Sequence, residues 1–186
     1  MFRMSDPWTN YPHIWKTKAA FLSFIRGGIR RALWNRSPIK LEFIKKYRKR
    51  IKNPNPKGKV KEVWGGSCAL CNKDFPSQQL NVDHKIGNNS LKELSDLQSF
   101  IESIVLVQES DLQFVCIPCH KIKNLQERSG VDFESARITK DVIAIMNSKT
   151  DRQWLKDHDI IPASNAAKRR KQIEEEMKNE SSLCSN

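Results

Sequence analysis

Near the start of the chain, Ile14, Phe21, Leu22, Ile25, Ile29 and Leu33, with Lys18 among them, recur at helical spacing. This pattern predicts a helix from about Ile14 to Trp34, loosened in its middle by Gly27-Gly28. Ser37 followed by Pro38 supplies an N-cap and a first helical residue, so a second helix is expected through Leu41, Phe43, Ile44 and Tyr47 toward Arg50. Asn53-Pro54-Asn55-Pro56-Lys57-Gly58 then reads as a turn-rich linker and a domain boundary. Leu80 to His84 predicts a short strand that ends in a Gly87-Asn88-Asn89 turn. Ser90 and Glu93 form a Ser-x-x-Glu capping box, and Leu91, Leu94, Leu97, Ile101, Ile104 and Val105 carry a helix behind it. Leu112 to Val115 predicts a second strand, followed by a helix that begins near Pro118. The centre of the chain therefore reads strand, strand, helix, with a further helix inserted between the strands.

From Thr139 to Lys178 the pattern is helical again. Val142, Ile143, Ile145 and Met146 form one piece, Trp154 and Leu155 a second, and Ala166 to Lys171 a third. Ile160-Ile161-Pro162-Ala163-Ser164 separates the last two, and Ser164 or Asn165 is placed to cap the final helix. A small DNA-reading unit and a helix packed on the domain with a charged, solvated end fit this region equally.

Composition narrows the picture. With 186 residues, 38% hydrophobic and 29% charged, the chain has room for one modest core with polar flanks. No secretory leader and no run of about 18 apolar residues is evident, so reduced thiols in a cytosol are expected, without membrane insertion. The net charge of +12 is concentrated: residues 1 to 61 carry 17 Lys and Arg against Asp6 and Glu42, a net of +15, and the remainder is at −3. A basic arm on a near-neutral domain is the footprint of a phosphate-backbone binder, although a solvated basic surface gives the same count. Trp8, Tyr11, Trp15 and Trp34 lie among the basic positions; at helical spacing they read as core rather than as base-stacking platforms.

The cysteines carry the most specific signal. Cys68-Ala-Leu-Cys71 and Cys116-Ile-Pro-Cys119 are two Cys-x-x-Cys pairs separated by 44 residues, and only Cys184 is left over. Four thiolates so arranged suit one tetrahedral structural zinc and leave no open position for substrate. Redox chemistry at one pair would call for a βαβ setting, which the pattern lacks. Between the pairs lies Asp83-His84, and the second pair runs into His120.

These residues resemble the HNH nucleases, the ββα-metal superfamily, and in particular its zinc-containing, free-standing bacteriophage members. In that family the first strand ends in Asp-His, matched by Asp83-His84. The second strand carries Asn-Leu-Gln-x-Leu-Cys, matched by Asp111-Leu112-Gln113-Phe114-Val115-Cys116, and the helix opens with Cys-x-x-Cys-His-x-x-Lys, matched by Cys116 to Lys123. The resemblance spans Cys68 to Asn124 and extends over the basic segment around Arg26, Arg30, Arg31 and Trp34.

The resemblance implies an α+β fold: a small ββα-metal core stapled by the four-cysteine zinc site and flanked by N- and C-terminal helices. Residues 1–59 would be a basic helical DNA-binding arm, 60–130 the nuclease core with its zinc knuckle, and 131–186 a C-terminal helical region with an accessory DNA-binding role and a disordered tail. His84 would be the general base, and Asp83 and His120 would hold one catalytic Mg²⁺ or Mn²⁺ beside the structural Zn²⁺. Asp111 stands where the family has Asn, an acceptor without the amide's donor; Asn88, Asn89 or Asn124 are the candidates to fill that gap. Arg26, Arg30, Arg31, Arg36, Lys121 and Lys123 would contact DNA. The implied activity is hydrolysis of double-stranded DNA to 5′-phosphate and 3′-hydroxyl ends by a homing-type phage enzyme in the host cytosol. The competing expectation is a non-catalytic zinc-knuckle DNA-binding module.

Overall fold

The computed structural model describes residues 5–56, 59–87 and 90–183. It is a mixed α+β structure with two small antiparallel sheets. Its elements are α1 (Pro7–Asn10), α2 (Lys18–Ala32), α3 (Pro38–Tyr47), β1 (Lys49–Lys52), β2 (Glu62–Ser67), β3 (Asp74–Pro76), β4 (Leu80–His84), α4 (Leu97–Val105), β5 (Leu112–Cys116), α5 (Ile117–Ser129), α6 (Phe133–Asn147), α7 (Asp151–Asp157) and α8 (Ala166–Leu183). These gather into two compact units, Met1–Ile117 and Pro118–Asn186.

In the first unit the helix starts are set by caps. Thr17 accepts from the Ala20 amide at 3.1 Å, so α2 begins at Lys18 rather than at the expected Ile14. Ser37 accepts from the Lys40 amide at 3.3 Å and starts α3 at Pro38, as its sequence predicts. Gly27-Gly28 does not interrupt α2. The helix is held through Leu22, Ile25 and Ile29, which pack with Leu91, Phe100 and Ile104, and this packing outweighs the local cost of two glycines.

The helix expected to run toward Arg50 stops at Tyr47, because Arg48 turns extended and residues 49–52 enter a sheet. β1 pairs antiparallel with β2 (Arg50 opposite Trp64, Ile51 opposite Val63), and β2 pairs with β3. The stretch read as a linker thus lies between two paired strands of one unit. β2 is pressed on both sides. A Cβ on Gly65 would sit 2.3 Å from the Phe75 carbonyl oxygen, and one on Gly66 would sit 3.0 Å from the Phe114 ring.

β4 and β5 pair antiparallel, His84 opposite Leu112 and Leu80 opposite Cys116. Phe43 of α3, Val82 of β4, Val107 and Leu112 of β5 form the core beneath them. Between these strands lies α4. The expected Ser90–Glu93 box is replaced by one three residues on: Glu93 and Asp96 cap each other's backbone reciprocally, with Asp96 accepting from the Glu93 amide at 2.8 Å. A carboxylate at each end satisfies the same two donors that a Ser and a Glu would.

In the second unit α6, α7 and α8 surround Ile138, Val142, Leu155 and Ile173. Asn165 caps α8, its side chain accepting from the Ala167 amide at 2.7 Å. Arg169 of α8 is 9% exposed and pairs with Asp151 of α7 while donating to the carbonyls of Ala163 and Ser164. The last helix is therefore docked through its own basic stretch. No helix among the described residues is long and apolar enough to cross a membrane. Asn88, Asn89 and Cys184 lie outside the described residues.

Candidate metal centre and histidine pocket

The tight turn between β2 and β3 builds the first half of the cysteine cluster. The Cys68 amide donates to the Lys73 carbonyl and the Asn72 amide to the Cys68 carbonyl, both at 2.9 Å. Asn72 takes the left-handed conformation, with φ 57°, that such a turn requires and that Asn tolerates. The Ala69 amide donates to the Phe114 carbonyl at 2.8 Å, which ties this knuckle to β5. Cys116 ends β5 and Cys119 sits in the first turn of α5.

The ligand atoms of Cys68, Cys71, Cys116 and Cys119 all lie within 4.8 Å of one another. A tetrahedral zinc–thiolate site with bonds of about 2.3 Å places its sulfurs about 3.8 Å apart, so the cluster fits such an ion with little contraction. Cys68 is fully buried and Cys116 nearly so. Burial pushes the Cys68 thiol up, but the amides of Cys116, Cys71 and Leu70 and the side chain of Cys71 outweigh it and bring the thiol down to about 7. Donors aimed at the sulfur favour the thiolate that a metal binds. The cluster could hold a structural metal such as zinc.

His84 closes β4. Its Nε2 lies 2.9 Å from the carbonyl oxygen of Ser103 in α4. A carbonyl only accepts, so in this contact Nε2 is the donor. Trp34 stacks on the imidazole with ring centroids 4.8 Å apart and 23° between planes, and the Lys40 ammonium lies 4.9 Å from the Trp34 ring. Gln113 donates to the His84 carbonyl at 3.3 Å. The ring is thus oriented by α4 and by the turn after α2, while the neighbouring strand holds the main chain of His84. A cavity of about 650 Å³ opens beside it, lined by His84, Lys85, Glu102, Ser103, Ser110 and Asp111 among others.

Asp111 precedes β5. Its carboxylate accepts from the Gln108 amide at 2.9 Å, and its carbonyl accepts from the Lys85 amide at 2.7 Å. The first bond uses the side chain as an acceptor, which a carboxylate does as well as an amide, and the second uses the main chain, so neither contact needs Asn at this position. Asp83, one residue before His84, lies in the field of Arg30 on α2. The Arg30 guanidinium is held below its usual range by burial and by Arg26, while Asp83 pulls the other way; it lies 5.8 Å from the Phe100 ring.

The remaining expected residues differ in exposure. Arg31 and Arg36 are exposed, and Arg26 is half-buried. His120, half-buried, follows Cys119 on α5. Lys121 is exposed, but Lys123 is only 6% exposed and is ion-paired with Glu127 at 2.6 Å. Sequence reasoning did not single out Ser103 or Glu102, and it gave Gln113 a place in the motif but no partner. A backbone carbonyl has no sequence signature, whereas Trp34 was visible as an aromatic among basic residues but gave no hint of its imidazole partner.

Among the described residues the four cysteines are the one group of three or more His, Cys, Asp or Glu side chains placed to hold a metal. No protein-family model, no curated protein and no solved structure matches this chain.

Proposed function

We propose that this chain is a metal-dependent DNA endonuclease of the HNH type, with His84 as its general base. One observation carries the reading: an imidazole bonded through Nε2 to the Ser103 carbonyl and stacked on Trp34, at the edge of a cavity about 650 Å³ in volume. A histidine serving only as core would not need partners from two distant segments to orient it beside open space. In this reading Nδ1 takes the proton of a water that attacks phosphorus, and the Ser103 carbonyl stabilises the imidazolium through Nε2–H. Asp111 holds the loop after β4 against the start of β5 through Lys85 and so positions His84.

Asp83 and His120 are the residues that would hold the divalent cation, Mg²⁺ or Mn²⁺, whose chemistry is to neutralise charge on the phosphate and the leaving 3′-oxygen. One carboxylate and one imidazole are fewer ligands than a closed cage, which suits a hard cation that keeps waters and substrate oxygens. The four-thiolate site fits the complementary role, holding the fold around β5 and α5. Arg26, Arg30, Arg31, Arg36 and Lys121 would meet the phosphate backbone of double-stranded DNA.

The test is cleavage of supercoiled plasmid by purified protein with Mg²⁺ or Mn²⁺. Wild type should nick or linearise it, and His84→Ala should abolish cleavage while retaining DNA binding and metal content. Intact plasmid with the wild-type protein in both metals would leave the non-catalytic DNA-binding module as the function.

A further inference from the structure

The solvent face of the β1–β2 hairpin carries an arrangement that the histidine site does not use. In an extended chain alternate residues share a face, so Arg48, Arg50 and Lys52 stand on the side opposite to buried Ile51. Trp64 lies directly opposite Arg50 in the register and is 45% exposed, a large apolar side chain with no core to fill. The Arg48 guanidinium sits 4.4 Å from the Trp64 ring centroid and that of Arg50 sits 5.2 Å from it. The face also holds one carboxylate, Glu62, 3.7 Å from Arg50, and Asp74 on β3 takes the neighbouring Lys49 at 2.8 Å. Glu62 lies opposite Lys52 in the register but pairs with Arg50, and among the described residues Arg48 has no ion pair with a carboxylate.

We propose that this face is a second DNA-binding surface, on which Trp64 acts as a rail that holds the Arg48 and Arg50 guanidiniums extended for phosphate oxygens of a duplex. A guanidinium lying on an indole keeps its N–H fork free at the edge, and ordering it in advance lowers the entropy lost on binding. A guanidinium fork takes phosphate oxygens bidentately, and three cations along one strand against one carboxylate on the face suit a polyanionic backbone. The inference rests on DNA as the partner but not on catalysis.

The experiment is fluorescence anisotropy of a labelled duplex of about 30 base pairs, without added divalent cation, across a salt series. Arg48→Gln/Arg50→Gln should lower the slope of log K against log salt by about 2 and weaken binding about tenfold or more at low salt, because two phosphate contacts are lost. Arg48→Lys/Arg50→Lys keeps the charge and should retain the slope while losing affinity through the fork. Trp64→Ala should weaken binding with both arginines present. An unchanged slope and affinity in the double Gln variant, with the wild type binding normally, overturns the proposal but spares the nuclease reading. No salt-dependent binding by the wild type overturns both. Each variant lies on the exposed face, and an unchanged melting temperature establishes that binding is read on folded protein.

Discussion

Two histidines in this chain are each stacked on a tryptophan and bonded to a backbone carbonyl, yet they are built in opposite ways. His158 ends α7, stacks on Trp154 four residues earlier with centroids 3.8 Å apart, and meets the Trp154 carbonyl through Nδ1 at 2.7 Å. Its Nε2 faces Glu180 of α8 at 3.6 Å. Nearly everything that orients it comes from its own helical turn, which makes it a helix terminator. His84 takes its tryptophan from 50 residues before it and its carbonyl from 19 residues after it, and it borders a cavity. Assembling partners from distant parts of the chain costs more ordering entropy than capping a turn. The arrangement beside open space is thus the costlier of the two to assemble.

The largest expected effect tests what supports the first histidine. Cys116→Ser should remove bound metal, read as metal per chain, and collapse the thermal transition of the surrounding structure, since thiolate sites contribute on the order of 10 kcal/mol to folding. A variant that melts like the wild type would mean that the cysteines are merely core. Next, His84→Ala should lower the cleavage rate by about 10² to 10⁴, the range for losing a general base. His158→Ala should leave the rate unchanged and lower only the melting temperature. Equal effects of both variants on the rate would erase the distinction between them.

A third test concerns the second unit alone. Asp151→Ala should strand the buried Arg169 charge and destabilise that unit by about 3 kcal/mol in denaturant unfolding. Acid should act in the same direction. Hydrogen bonds from Arg169 hold Asp151 below the usual carboxylate range, and those from Arg137 and Ser181 bring Glu134 down to about 2. Groups depressed in the folded state stabilise above the unfolded carboxylate range and lose that contribution as pH falls through the folded value. Stability should therefore decline between about pH 4.5 and 2, and Glu134→Gln should flatten that limb. The smallest expected effect is Trp34→Phe: a loss of about 1 kcal/mol of stacking, read as a cleavage rate about fivefold lower with an unchanged pH profile.

What the sequence made legible follows from how local each signal is. The Ser37-Pro38 start of α3, strand β4 and strand β5 were predicted because caps and two-residue alternation act over a few residues. The four cysteines were brought together in thought by spacing alone, and the structure places their ligand atoms within 4.8 Å. The three-stranded sheet was missed. β1 reads Lys-Arg-Ile-Lys with one apolar residue, and β2 holds two glycines, so neither shows the apolar alternation of a half-buried strand. Their pairing is decided by close approach to Phe75, Ile51 and Phe114, which is a tertiary fact. The same holds at His84: its position in Asp83-His84 was readable, but its acceptor is a main-chain oxygen that any residue type would supply.

The bond from the Lys85 amide to the Asp111 carbonyl clips together the two ends of the excursion that carries α4. A loop fastened at its neck behaves as a graft. Its length can drift at a cost that rises only logarithmically, while the paired strands keep their register. Yet this graft also presents the Ser103 oxygen to the imidazole. Exchanging the excursion for another would thus leave the scaffold standing and change only which main-chain oxygen meets this ring.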